Sequence, residues 1–171
     1  DEMEKWYDGY LFGNIEVYNP WSTLKYIKES YSQDITEPVS YWANTSGNDV
    51  IYNFLKHSDS ALRNNFEKLV NDEAIEATIY PEMTYRELDD KEMIYSYLLI
   101  TGYLKAIEKT DENKYKLMIP NKEIRYIYTS YFRKYIVSLQ DTYSSKFCNS
   151  LINGDISEAE IELNDFLFKT V

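Results

Sequence analysis

With 171 residues, 44% hydrophobic and 16% aromatic, the chain has enough apolar material for one substantial core or two small ones sharing an interface, which excludes a disordered segment. One cysteine, Cys148, and one histidine, His57, exclude a disulfide framework and any zinc site that draws several such ligands from this chain. The net charge of -11 opposes general nucleic-acid affinity, no apolar run is long enough for a membrane span, and the acidic start Asp1-Glu-Met-Glu4 is unlike a signal peptide, so a cytoplasmic location is expected.

The first residues read as a short helix ending near Tyr7. Residues 9–18 read as two short extended pieces, 10–12 and 15–18, joined at Gly13-Asn14, a pair that readily adopts positive φ. Asn19-Pro20 opens a helix, with Asn19 as its cap and Pro20 at the first helical position, where a missing N–H costs nothing. Trp21, Leu24 and Ile27-Lys28 set an apolar stripe along that helix. Residues 31–46, rich in Ser, Thr, Asp and Pro, read as a loop that pins Tyr41 and Trp42. Within it Asn44-Thr-Ser46 matches a glycosylation sequon, which carries no meaning in a cytoplasmic chain. Asn48 or Asp49 starts the next helix, with Ile51, Phe54 and Leu55 at helical spacing, and a turn near His57-Ser-Asp59 leads to another carrying Leu62, Phe66, Leu69 and Val70.

Residues 75–80 alternate and end at Pro81, the pattern of a short edge strand. Asp89 or Asp90 caps a helix with the stripe Met93, Ile94, Tyr97, Leu98 and Thr101, ended by Gly102. Residues 103–109 and 114–119 read as paired strands around Thr110-Asp-Glu-Asn113, with Tyr115, Leu117 and Ile119 on one face. Pro120 and Asn121 begin a long helix with Ile124, Ile127, Tyr128, Tyr131 and Tyr135 turned inward. Helix, two-stranded hairpin, helix is the layout of a winged-helix-like unit. From about Tyr143 the tail reads as two helical segments broken at Leu151-Ile-Asn-Gly-Asp155, with Ser157-Glu-Ala-Glu160 as a capping box. The fold class expected is therefore α+β, mainly α-helical: a helical bundle with a winged-helix-like unit.

Three blocks match no general catalytic motif: Trp6-Tyr-Asp-Gly-Tyr-Leu-Phe-Gly13, Tyr18-Asn-Pro-Trp-Ser22 and Tyr41-Trp-Ala-Asn-Thr-Ser-Gly-Asn-Asp49. Together with Leu99-Ile-Thr-Gly-Tyr-Leu104, Ile119-Pro-Asn-Lys-Glu-Ile-Arg125 and Leu151-Ile-Asn-Gly-Asp155, their order resembles the end of the AAA-ATPase-like region in bacterial proteins that carry a PD-(D/E)XK nuclease-like domain. The resemblance runs along most of the chain and implies a piece from the middle of a larger protein. It implies that residues 1–48 end the ATPase-like region, 49–140 form a helical, winged-helix-like domain, and 141–171 open the nuclease-like domain. ATP and a divalent metal are implied for the parent only. Trp6, Tyr7, Asp8, Gly9, Tyr10, Asn19, Pro20, Trp21, Trp42, Asn44 and Ser46 are implied to form a packing or nucleotide-sensing contact, and the implied partners are the parent's own ATPase-like and nuclease-like domains. The apolar face of the last helix, with Ile161, Phe166 and Leu167, would then lack part of its cover and favour self-association.

No catalytic set, cofactor site or metal site is expected in this chain. It has no GxxxxGK[ST] loop, so a P-loop would have to lie upstream. The only Glu-x-Lys is Glu112-Asn-Lys114, in a predicted turn, whereas a PD-(D/E)XK site needs these groups on strands. Asp89, Asp90 and Glu92 sit at a predicted helix start and favour its dipole rather than a metal. His57 has no nucleophile beside it. The eighteen tyrosines could stack on bases or sugars, but most fall at core spacing.

Charge is uneven along the chain. Residues 1–100 carry 8 Lys and Arg against 19 Asp and Glu, residues 101–135 carry 8 against 4, and residues 136–171 carry 2 against 6. The basic segment holds Lys105, Lys109, Lys114, Lys116, Lys122, Arg125, Arg133 and Lys134, a candidate interaction surface. The reading is a non-catalytic module that couples an ATPase core to a nuclease-like domain through protein contacts. The alternative is a nucleic-acid-binding winged helix using the basic hairpin at 103–119. Against it, the preceding helix offers Ser96, Tyr95 and Tyr97 rather than the Arg, Lys, Asn or Gln of a groove reader, with only Lys91 near its start.

Overall fold

The protein is seen here as a computed structural model that describes residues 1–13, 15–33, 37–44, 49–82 and 93–170. Its elements are mainly helices, with a two-stranded and a three-stranded antiparallel sheet, so the fold is α+β. The chain divides into two compact units, residues 1–129 and 130–171.

In the first unit, helix α1 (Glu2–Tyr7) starts at Asp1, whose side chain accepts from the Met3 N–H in a capping box completed by Glu4. Strands β1 (Tyr10–Phe12) and β2 (Ile15–Val17) form a hairpin. Its turn includes Gly13 at φ 64°; Asn14 lies outside the described residues. Helix α2 (Pro20–Gln33) begins as the sequence suggests, with Asn19 Oδ1 accepting from the Trp21 N–H at 3.1 Å. It continues to Gln33, so residues 31–33 are helical and not loop. Its stripe is turned the other way from a core-facing one: Trp21 is 57% exposed, Leu24 67% and Tyr31 89%, while Ser22 is fully buried. A short 3-10 turn, Trp42–Asn44, follows.

Helices α3 (Asp49–His57) and α4 (Ser60–Val70) make the main apolar core, burying Ile51, Leu55, Leu62, Phe66 and Leu69. Asp59 caps α4 by accepting from the Leu62 N–H at 3.0 Å. The Phe66 ring lies 5.2 Å from Phe54 and 5.4 Å from Tyr128, which ties this pair of helices to the start of the long helix.

Strand β3 (Ile75–Thr78) is an edge strand, and the three-stranded sheet has the order β3-β5-β4. Helix α5 (Ile94–Ile100) precedes the hairpin of β4 (Lys105–Lys109) and β5 (Lys114–Met118). A strand, a helix and a hairpin whose last strand pairs with the first is a winged-helix-like arrangement. Asp89, Asp90, Lys91 and Glu92, expected at this helix start, lie outside the described residues. α5 buries Ile94, Tyr95, Ser96 and Leu98, whereas Tyr97, expected inward, is only half-buried. The Ser96 hydroxyl accepts from the Tyr80 N–H at 2.9 Å and Tyr95 is bonded to Asn65 at 2.9 Å, which is why these polar groups can face inward. Tyr103 and Leu104, expected in the strand, form a buried corner before it, with the Leu104 N–H on the Leu98 carbonyl at 2.9 Å.

Helix α6 (Lys122–Ile152) is capped by Asn121, whose Oδ1 accepts from the Ile124 N–H at 3.0 Å. Ile124, Ile127 and Tyr128 are buried, as their spacing predicts. From Ser130 onward α6 belongs to the second unit, which it forms with α7 (Ile156–Thr170). The segment after Tyr143 is thus the end of one long helix, not a separate one. The cap of α7 is Asp155, accepting from the Glu158 N–H at 3.0 Å, and Ser157 lies inside the helix, so the capping box proposed for it does not form. Phe166 packs on Tyr143 with ring centroids 5.8 Å apart, while Ile161 and Leu167 are exposed as expected. Among the described residues no helix is long and apolar enough to cross a membrane.

Gly9 is the tightest point of the first unit. It sits at φ 98°, and a Cβ there would come within 2.4 Å of the Pro120 carbonyl oxygen. Gly13 also has positive φ but open space around it. Gly9→Ala should therefore lower stability by at least about 2 kcal/mol, and Gly13→Ala by only about 1 kcal/mol, in urea denaturation at neutral pH. Equal effects would mean the close approach to Pro120 is not a real constraint.

Candidate functional site

Parts of five of the six signature blocks, separated by up to about a hundred residues, come together around Glu123, while Leu151–Asp155 lies in the second unit. The Glu123 side chain is fully buried. Its Oε1 accepts three hydrogen bonds: from the Ser22 hydroxyl at 2.9 Å, the Tyr41 N–H at 2.8 Å and the Trp42 N–H at 2.9 Å. The first donor lies on α2, the other two at the 3-10 turn, and the acceptor one residue into α6. One carboxylate oxygen therefore fixes three chain segments that no local propensity would hold together. Oε2 is buried with no hydrogen-bond partner among the described residues. Burial raises the Glu123 pKa, against the lowering effect of the Trp42 N–H, the Ser22 hydroxyl and the Tyr41 N–H.

The residues before and after complete this joint. Asn121 caps α6 and also donates through Nδ2 to the Asp8 carbonyl at 3.0 Å, while the Asp8 carboxylate accepts from the Gly9 N–H at 2.8 Å. The Asn19 N–H donates to the Tyr7 carbonyl at 2.7 Å. The fully buried Tyr7 donates its hydroxyl proton to the Val39 carbonyl at 2.8 Å and accepts from the Val39 N–H at 3.1 Å, with the Tyr26 and Tyr41 rings 5.7 and 6.1 Å away. Trp6 is half-buried, its ring 6.3 Å from that of Tyr7. Trp42 stacks on Tyr103 at 5.2 Å and 14°, and Tyr10 approaches it at 6.3 Å. Gly102, at φ 82°, lets both rings close in: a Cβ there would lie 3.1 Å from Tyr10 and 3.3 Å from Trp42.

Of the signature residues expected together, Trp6, Tyr7, Asp8, Gly9, Tyr10, Asn19, Pro20 and Trp42 lie in or beside this cluster. Trp21 faces outward under Lys25, whose ammonium sits 5.2 Å from its ring centroid. Asn44 ends the 3-10 turn, and Ser46 lies outside the described residues. Glu123 itself was not singled out from the sequence, because Ile119-Pro-Asn-Lys-Glu-Ile-Arg125 reads there as an ordinary helix start with an acidic first turn.

Beside the cluster is an apolar groove of about 450 Å³, lined among others by Phe12, Tyr18, Pro20, Trp42, Ile100 and Gly102. Its lining is mainly hydrocarbon and aromatic, and among the described residues it holds no constellation of acid, base and nucleophile. Among the described residues no group of three or more His, Cys, Asp or Glu could hold a metal. Glu112 and Lys114 lie at the hairpin turn and the first strand position after it, both exposed. The His57 side chain lies outside the description.

The basic residues do not make one free cationic face. Lys105 pairs with Glu16 at 3.6 Å, Lys116 with Glu108 at 2.7 Å, Lys122 with Glu2 at 3.1 Å, and Arg125 with Asp72. Lys116 also stands opposite Glu76 in the sheet register, so the middle of the outer sheet face is Glu-Lys-Glu. Lys109 and Lys134 lie 5.8 Å from the ring centroids of Tyr115 and Tyr131. Lys114 is exposed, and Arg133 and Lys134 belong to the second unit.

Removing the acceptor at 123 leaves two N–H groups and a hydroxyl unpaired in a buried place. Glu123→Ala should cost about 2–4 kcal/mol, and Glu123→Gln, which keeps an acceptor oxygen, clearly less. Because the folded pKa is raised, the fold holds this proton more tightly than the unfolded chain does. The associated stability is present below the ordinary carboxylate pKa and is lost as pH rises through the raised value. Urea midpoints across that range should fall with pH in the native chain and fall less in Glu123→Gln; parallel curves would refute the assignment. No protein-family model, curated protein or solved structure gives a match to this chain.

Proposed function

We propose that this chain is a non-catalytic, helical and winged-helix-like module of a bacterial AAA-ATPase-like protein, coupling a P-loop core to a nuclease-like domain through protein–protein contacts. The observation that carries the reading is the meeting of five sequence blocks at Glu123. Residues 6–13, 18–22, 41–42, 99–104 and 119–125 all contribute atoms to one joint built of carbonyls, amides, rings and glycines. A cluster with that content holds segments rigidly and performs no bond chemistry, which suits a coupling element. In this reading ATP and a divalent metal act elsewhere in the parent, and the partners are the parent's own domains, with a further contact through the exposed apolar face of α7.

Protein docking is better supported than nucleic-acid recognition. A winged helix that reads DNA needs hydrogen-bonding side chains on the helix before its hairpin. α5 is Ile-Tyr-Ser-Tyr-Leu-Leu-Ile, and its Tyr95 and Ser96 are buried and bonded within the fold. Two of the four hairpin lysines, Lys105 and Lys116, are already paired with carboxylates, which reduces the number of counterions released on a phosphate backbone.

The purified chain is expected to hydrolyse no ATP, to cut no DNA with Mg²⁺ or Mn²⁺, and to show no steeply salt-dependent DNA binding in fluorescence anisotropy. A DNA contact would instead give a log–log salt slope of about -0.9 per phosphate neutralised. Micromolar binding with such a slope, abolished by changing Lys105, Lys114 and Lys116 to Glu, would replace the coupling reading with a nucleic-acid one. Cleavage lost on changing Glu112 and Lys114 would do the same for a catalytic one. In the gene, a GxxxxGK[ST] upstream and a strand-borne Glu-x-Lys downstream are expected.

A further inference from the structure

Helix α2 is built inside out for a helix on an acidic protein. Its inward side carries hydrogen-bonding groups beside the Tyr26 ring: Ser22 bonds to Glu123 at 2.9 Å, and Glu29 accepts from the Tyr41 hydroxyl at 2.8 Å. Its outward side is apolar. Pro20, Leu24, Ile27 and Tyr31 follow one another at i, i+4, i+7 and i+11, which places them in a single row about 16 Å long. Trp21 lies next to that row. The row begins in the groove, because Pro20 is part of the groove wall, and Phe12 (72% exposed) and Ile100 stand at its rim. Glu29 is the only carboxylate of α2, although the chain carries 29 Asp and Glu, and it is turned inward. The charges left on the outer side are Lys25 and Lys28, both exposed.

We infer that the outer face of α2, together with the adjoining groove, is a docking surface for an amphipathic helix of another protein, one whose apolar stripe is flanked by carboxylates. Four apolar side chains at helical spacing fit the ridge of a partner helix, and the groove takes one large apolar side chain at the end of that ridge. The lysines select the charge of the partner. Among the described residues of α2 the outer side carries lysines and no carboxylate, which in a chain of net charge -11 makes it complementary to acidic flanks. A basic partner would lose those pairs and meet Lys25 and Lys28 directly. An anionic lipid surface could also attract a lysine-flanked apolar helix, but two lysines give little attraction against the repulsion of the whole chain. The inference stands independently of the coupling role, since it uses only α2 and the groove.

The test uses the whole chain and two labelled synthetic helices of about sixteen residues with the same leucine and tryptophan stripe. One carries Glu on both flanks, the other Lys. Anisotropy should show the Glu helix binding at micromolar concentration and the Lys helix about ten-fold more weakly. Lys25→Glu with Lys28→Glu should reverse that order, and Leu24→Asp or Ile27→Asp should abolish binding of both helices at an unchanged thermal midpoint. Competition by Ile100→Asp, as a roughly three-fold or larger loss, would place the end of the ridge in the groove. No binding, equal binding of the two helices, or an order that the double charge reversal leaves unchanged would overturn the proposal. So would binding to vesicles of phosphatidylcholine with about a quarter phosphatidylserine in place of either helix, or coverage of this face by self-association of the chain in analytical ultracentrifugation.

Discussion

A buried carboxylate accepting three hydrogen bonds on one oxygen is the interaction on which the rest of the first unit depends. Glu123 joins α2, the 3-10 turn at Trp42 and the start of α6, three segments that share no sheet. Hydrophobic burial is not directional and could not fix the register of a turn against a helix end. Hydrogen bonds to a single acceptor do so within a few tenths of an ångström, and their low-dielectric surroundings make an unmade bond expensive. Once that oxygen is in place, Asn121 can reach the Asp8 carbonyl and Gly9 can lie against Pro120. Trp42 can then meet Tyr103 and Tyr10 over Gly102.

The polar joint also explains an inversion elsewhere. Because α2 supplies Ser22 and Glu29 to the interior, Trp21, Leu24, Ile27 and Tyr31 are left outside. An amphipathic helix normally buries its apolar stripe. Here the inward side is decided by hydrogen bonds to a buried acid and to Tyr41, and the exposed row becomes available for another surface. The same logic of local pairing acts on the winged-helix-like sheet. Antiparallel register puts Lys116 between Glu76 and Glu108, so a segment that is basic in the sequence presents a nearly neutral outer sheet face. Charge counted along a chain and charge met by a partner are different quantities.

Much of the secondary structure was legible in the residues. Asn19-Pro20 marks the start of α2 because a capping side chain and a ring without N–H suit only the first turn. The period of Ile51, Leu55, Leu62, Phe66 and Leu69 marks two core helices, and the alternation of Tyr115, Leu117 and Ile119 marks a strand with one buried face. The less legible features were those in which a remote partner decides. Ser157 has the residue type of a cap, but Gly154 at φ 76° turns the chain one step earlier and Asp155 takes that role. Tyr95 and Ser96 look like surface residues until Asn65 and the Tyr80 N–H, both distant in sequence, supply their hydrogen bonds.

The sequence by itself determined where most of the helices and strands lie, that the fold is α+β and mainly helical, and that the chain has no P-loop motif. These follow from local chemistry: capping side chains, glycine and proline at turns, and the two hydrophobic periods. Only the tertiary structure decided which acid is buried, which face of α2 is turned inward, and which lysines are already paired. Most of these depend on an atom far away in the chain, such as Ser22 from Glu123, Tyr41 from Glu123, or Glu16 from Lys105, while Lys116 meets Glu108 across a hairpin. Such choices are made when the chain closes on itself, because a buried polar group must find its partner wherever the fold brings one.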